Sequence, residues 1–284
     1  MSKIVITTDS TADLSQELLE KYDIKVMPLI INLGDEPISD SPEAPQIIYD
    51  YVEKSGKTPK TAARSVEEYK EFFEKHKPAG GELIHFNISN KLSASHSMAV
   101  GAAEQVAGVH VVDTLSLSTG SGLTVLYGAE LVAKGGLTAK EIAKKCAERA
   151  KYSQASFVLD SLLYLHKGGR CSGLAMLFAS ILKIKPMIRL QEGAMGPGKK
   201  YKGKWEKCVE NYVTDVLEQF NTPNLDRVFI TYTTLEESLK QKIKDMVLAK
   251  YPFKEVLFTT AGGTVTSHCG KNTVGVLYFN DGDK

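Results

Sequence analysis

The chain has 284 residues, more than one typical core, which predicts two moderate α/β domains. Its 35 Lys plus Arg against 34 Asp plus Glu leave a net charge of +1, so composition gives no general reason for a nucleic-acid partner or an anionic membrane surface. Cys146, Cys171, Cys208 and Cys269 are scattered without a CxxC pair or a zinc-like Cys/His spacing, and a reduced, cytoplasmic protein with no structural metal is expected.

In chain order, MSKIVITTDS enters a strand at once, and no apolar run nears the roughly 18 residues of a membrane span, so a soluble, unexported protein is expected. Lys3 to Thr8 reads as a buried strand ending in Asp9, Ser10 and Thr11, and Leu14, Leu18 and Leu19 mark an amphipathic helix. A polar loop there lies at the ligand edge of an open α/β sheet, although Asp9 and Ser10 suit a turn and a cap equally well. Ile24 to Leu33 predicts a second strand, with Pro28 marking an edge or a bulge, and a loop rich in Asp and Pro follows. Pro45 to Lys54 reads as a helix. Ser65 and Glu68 form a capping box for the next one, with Thr61 just before it.

Leu83 to Val100 organises the rest. Leu83, Ile84 and Phe86 suit a buried parallel strand, Asn87 to Asn90 a turn, and Ser93 the N-cap of a helix carrying Met98, Val100 and Val106 on one face. Unpaired N–H groups at such a terminus favour an anion, to which the hydroxyls of Ser93, Ser95 and Ser97 add hydrogen bonds; a cap alone fits the same pattern. Val109 to Val112 and Ser156 to Leu159 read as strands, and between them lie a polar loop at Asp113 to Gly122 and a second capping box at Thr138 and Glu141. A right-handed parallel sheet fits this half.

From Asp160 the texture changes, which places the domain boundary between 1–158 and 159–284. Gly168 and Gly169 precede Arg170, whose guanidinium suits phosphate or carboxylate, although a helix C-cap followed by a surface arginine reads the same way. A long apolar helix and a strand-turn segment around Ile188 to Met195 follow. GPGKKYKGKWEK, with Lys199, Lys200, Lys202 and Lys204, lacks the phosphate-loop pattern, so a solvated hairpin or loop is expected rather than a nucleotide site. Helix Trp205 to Phe220, strand Val228 to Tyr232, helix Leu235 to Tyr251 and strand Val256 to Thr259 then alternate, and GGTVTSHCGKNTVGVLYF reads as a polar loop running into a last strand. Thr61, Ser93 and His268 thus fall in predicted loops, and each can bond an anionic head group. Ser93 and His268 also invite a Ser-His hydrolase acting on an acyl substrate, but KLSASHS has no G-x-S-x-G elbow, and His268 as an ordinary histidine with local partners stays open.

Seven blocks in order, TDSTADL at Thr8 to Leu14, Thr61, ISNKLSASHSMA, VVDTLSLSTGSG, LDSLLYLHKGGR, KIKPMIRLQEG and SHCGKNTVGV, resemble the DegV family, which includes the fatty-acid-binding subunits of bacterial fatty acid kinase. The resemblance implies an N-terminal three-layer α/β/α domain with a parallel sheet and a C-terminal α/β domain with a mixed sheet. It also implies a long-chain fatty acid as ligand, its tail between or within the domains and its carboxylate held by Thr61, Ser93 and His268, with Asp9, Ser10 and Ser95 in secondary loops. Arg170 would lie where a separate ATP-dependent kinase subunit delivers phosphate. No cofactor, no catalytic residue and no metal are implied, and transient membrane contact is compatible with the role. Three blocks depart from the family pattern: TAARS stands for T-S-Q-P-S, SASHSMA for S-G-T-Y-Q-S-A, and HCGKN for H-x-G-P-G.

Overall fold

The computed structural model describes residues 3–170, 174 and 184–282. The long apolar helix expected after Arg170 falls on 171–183 and, apart from Leu174, lies outside the described residues, as does Cys171. The N-terminal half runs β1 (Ile4–Asp9), α1 (Gln16–Lys21), β2 (Lys25–Met27), β3 (Ile30–Leu33), β4 (Glu36–Ser39), α2 (Ala44–Ser55), β5 (Lys60–Ala62) and α3 (Val66–His76). It continues with β6 (Glu82–Asn87), α4 (Ser95–Ala103), β7 (Val109–Asp113), α5 (Thr119–Lys134) and α6 (Ala139–Ala150). The C-terminal half contains β8 (Ser153–Gln154), β9 (Ser156–Leu159), α7 (Leu163–Lys167), β10 (Lys185–Gln191), β11 (Ala194–Tyr201) and α8 (Trp205–Gln219). It ends with β12 (Arg227–Tyr232), α9 (Glu237–Lys250), β13 (Glu255–Thr260), α10 (Gly263–Cys269) and β14 (Thr273–Phe279).

Among the described residues, β2-β1-β6-β7 form a parallel sheet and β11-β10-β9-β14-β12-β13, with β8 on β14, form a mixed one. This is the expected fold class. β6 is central because its side chains from Leu83 to Phe86 are wholly buried, as a parallel strand covered on both faces requires. α5 is buried over Thr119 to Leu126, and one apolar cluster joins Phe86 and Leu126 to Phe229 and Leu277 of the second sheet. Small, hydroxyl and apolar residues buried together along α5 make it a layer that both sheets share. Both expected capping boxes form, at Ser65/Glu68 and Thr138/Glu141.

Three expectations are corrected. Ser156 to Leu159, expected in the parallel-sheet half, is β9 of the mixed sheet, antiparallel to both β10 and β14. Ile24 to Leu33 is two strands: Pro28, which has no N–H to continue the ladder, ends β2, and the chain turns into a separate antiparallel sheet, β4-β3-β5. Thr61 therefore lies on a strand, paired with Ile31, and not in a loop. Likewise, GGTVTSHCG folds as α10, so His268 sits in the last turn of a helix. Among the described residues, no helix is long and apolar enough to cross a membrane.

Candidate functional site

β5 and α10 bring together residues 207 positions apart: Thr61 Oγ1 lies 2.8 Å from His268 Nε2. The imidazole is buried, and burial, with a smaller contribution from the Arg170 charge, pushes its pKa down to about 4. It is therefore neutral near pH 7. Its Nδ1 is buried without a partner. The Gly168 backbone packs against the ring so closely that an added Cβ would come within 2.3 Å of Nδ1, and Arg170 Nη1 donates to the Gly168 carbonyl at 3.0 Å. The close backbone approach that paired glycines permit is thus realised on the imidazole.

Ser93 stands one residue before the N-cap of α4, and its hydroxyl takes the first helical N–H. The N-cap is Ala94, without a side-chain bond, whereas Ser93 Oγ accepts from the Ser95 N–H at 3.2 Å and lies 2.8 Å from Ser95 Oγ. Ser95 is buried. Ser97 is exposed and donates back to the Ala94 carbonyl, away from the other two hydroxyls. Of the face expected on α4, Met98 and Val106 pack in the core while Val100 is exposed.

Thr61, Ser93, Arg170 and His268 line one cavity of about 50 Å³. It is continued outward by a recess of about 330 Å³ that shares Ser93 and Arg170, and Leu117, Val265 and Cys269 also line a second, interior cavity of about 30 Å³ between it and the mixed sheet. A polar mouth thus leads to an apolar interior. Thr264 belongs to the same cavity, and its buried hydroxyl has no partner. The spacing i, i+4 puts Thr264 and His268 on one helical face, a signal that was hidden while the stretch read as a loop.

Asp9 and Ser10 lie elsewhere. Asp9 is buried and accepts from the N–H groups of Thr11 (3.0 Å) and Ile88 (2.9 Å), from Asn87 Nδ2 (3.3 Å) and from the Thr11 hydroxyl. Burial raises its pKa against those donors. Ser10 Oγ donates to Asp40 at 2.8 Å and accepts from the Leu29 N–H at 3.2 Å. Asp40 in turn accepts from the N–H groups of Gly263 (2.8 Å) and Thr264 (3.0 Å), and Asp13 accepts from that of Gly262 (2.8 Å). The loop after β1 therefore holds the start of α10, and through it His268; of that loop Thr11 lines the cavity, whereas Asp9 and Ser10 do not.

A hydrolase would need Ser93 paired with His268. Ser93 bonds Ser95, His268 bonds Thr61, and Nδ1 has no orienting carboxylate. Where the family has glycine in H-x-G-P-G, Asn272 adopts φ 56°, a left-handed conformation that asparagine tolerates, and its N–H donates to Thr234 Oγ1 at 2.8 Å.

The profile of the family described as uncharacterised protein, DegV family, matches residues 3–281. A fatty acid-binding protein of Thermotoga maritima is 30% identical, with 96% of each chain covered. The fatty-acid-binding DegV family protein of Thermus thermophilus superposes with a TM-score of 0.89 at 26% identity, covering 99% of this chain and 100% of that one. The fatty acid kinase (Fak) B3 protein of Streptococcus pneumoniae, solved loaded with linoleic acid, shares the fold at 19% identity, with a TM-score of 0.82 and coverage of 99% and 100%. The chain belongs to the DegV family.

Proposed function

We propose that this DegV-family chain holds a long-chain fatty acid without covalent attachment and presents its carboxylate to a separate ATP-dependent kinase subunit. The observation that carries this reading is the convergence of Thr61, Ser93, Thr264 and a neutral His268 on a cavity whose inner wall is apolar, with Thr264 Oγ1 and His268 Nδ1 buried and unpartnered. A carboxylate at Thr61, Ser93 and His268 meets neutral donors, which hold an anion without the deep desolvation cost of a buried ion pair. The tail runs inward past Leu117, Val265 and Cys269, between the parallel-sheet and mixed-sheet halves, and contributes roughly 0.8 kcal/mol per CH₂ buried. Loading by brief contact with a membrane requires no spanning segment.

The kinase role rests on the likeness to the Fak B3 fold, on Arg170 at the cavity's outer mouth, and on the basic hairpin strand β11 with the turn after it. Lys199 is paired with Asp215, whereas Lys200, Lys202 and Lys204 are exposed without ion pairs among the described residues. These three and Arg170 form the docking and transfer surface. Binding, not catalysis, is the activity of this chain. Native mass spectrometry of protein purified from a lipid-containing host tests the reading: one acyl chain per protein is expected. A chain that is always empty, and has no affinity for palmitate, stearate or oleate, overturns it.

A further inference from the structure

Five arginines occur in the chain. Arg64, Arg149 and Arg227 each pair with a carboxylate, and Arg170 donates to a carbonyl. Arg189 differs: its Nε is shut off from solvent without an acceptor, and among the described residues it forms no ion pair. It lies on β10, opposite Ser156 of β9, in the wall of a cavity of about 440 Å³, within the ~300–1,000 Å³ usual for small-molecule sites. Gln154 lines the same cavity and is only 6% exposed; its Nε2 donates to Ser156 Oγ at 2.6 Å, while its Oε1 has no partner. Leu115 and Phe220 supply apolar wall. Leu115 (φ 50°) and Glu192 (φ 48°), both at the rim, hold left-handed backbone that non-glycine residues adopt at a cost. The cavity shares no residue with the one at His268.

A half-buried guanidinium with unused donors is a bidentate receptor for an oxyanion, and a lone buried carbonyl oxygen calls for a donor. We propose that this cavity is a second ligand site, taking a small organic oxyanion, a phosphate monoester or a carboxylate, whose charged end meets Arg189. A hydroxyl or amide donor on the ligand satisfies Gln154, and its apolar body lies on Leu115 and Phe220. The site stands independently of the fatty-acid reading.

The test titrates the lipid-loaded full chain with phenyl phosphate and, separately, with benzoate, following backbone amide resonances. Saturable shifts at Tyr152, Leu190 and Gln191 are expected, and the arm that binds more tightly identifies phosphate or carboxylate. Arg189→Gln should weaken that binding about tenfold or more, whereas Lys254→Gln, at an exposed ion pair with Asp226 outside the cavity lining, should leave it unchanged. Wild-type affinity should also fall as sodium chloride is raised, a reading that needs no variant to fold. Absence of saturable shifts in both arms, salt-independent affinity, or equal affinity in a folded Arg189→Gln protein would overturn the site.

Discussion

His268 is neutral because burial and the nearby guanidinium hold its pKa at about 4, and in the proposed function this sets how the carboxylate would be held: through hydroxyls and an uncharged ring. Thr61→Ala and Ser93→Ala should each weaken fatty acid binding by about 1–3 kcal/mol, because each leaves a charged acceptor short of a donor in a site closed to water. Titration calorimetry on delipidated protein measures this; unchanged affinity in both variants would leave the two hydroxyls a purely structural role. Asp13 titrates in the opposite sense. Burial raises it to about 8, against the Ser118 hydroxyl (2.5 Å) and the Gly262 N–H, with Asp40 and Asp9 adding to the rise. The folded state thus keeps a proton that the unfolded chain releases near its ordinary 3.8, so Asp13 costs stability progressively as pH rises from about 4 to about 8. In Asp13→Asn the amide oxygen can still accept from Gly262 and the NH₂ can donate to Ser118, so the variant should lose less stability than wild type between about pH 5 and about pH 8 in urea melts; parallel losses would show that Asp13 is ionised in the fold. Thr61, Ser93, Arg170 and His268 were legible from ordered blocks. Asp13, Asp40 and Thr264 were not, because their roles arise from contacts more than 200 positions distant in sequence.

At the scale of elements, α10 shows where local reading stops. GTVTSHC contains glycine, β-branched residues and serine, all poor helix formers, so nothing local favours a helix there. Tertiary contacts override that: Asp40 satisfies two first-turn N–H groups, and Gly263 nests so tightly that an added Cβ would come within 2.5 Å of Ala44 Cβ and 2.7 Å of Ile31 Cδ1. The loop rich in Asp and Pro thus supplies the cap for the helix that carries His268. Asp40→Ala should cost about 1–3 kcal/mol of stability and weaken fatty acid binding with it, because the helix start loses its acceptors. Asp40→Asn, which keeps an acceptor for one N–H, should lose less. Denaturant midpoints and acyl affinities for the pair check this, and an Asp40→Ala protein as stable as wild type would refute the cap. By contrast β6, α3 and α6 were readable from sequence alone, since an apolar run and two capping boxes are local signals.

For the molecule as a whole, the two sheets share α5, and the interior cavities beside Leu117 and Val265 measure only about 30 and 50 Å³, against ~300–1,000 Å³ for most ligand pockets. Accommodating an acyl tail therefore requires side chains around Leu117, Val265 and Cys269 to repack, while the carboxylate stays at the polar mouth. In the proposed division of labour the kinase subunit brings ATP and its Mg²⁺; the sequence carries no phosphate-binding loop, and among the described residues no cluster of acidic and histidine side chains is suited to a metal ion. Arg170 lines both the inner cavity and the outer recess, a position from which a guanidinium can offset charge on a phosphoryl group passing from ATP to a carboxylate oxygen. Arg170→Ala should accordingly keep its fatty acid, because Thr61, Ser93 and His268 remain, yet support little acyl-phosphate formation with the cognate kinase. Charge reversal at Lys200 and Lys202 should act on encounter instead, weakening association with an acidic partner face in a salt-dependent way and leaving the lipid in place. A reconstituted assay with lipid-loaded protein, kinase and ATP, run beside a lipid-binding measurement on the same variants, separates the two effects. Acyl phosphate made by this chain alone would end the division of labour, and normal turnover by Arg170→Ala would remove Arg170 from the transfer step.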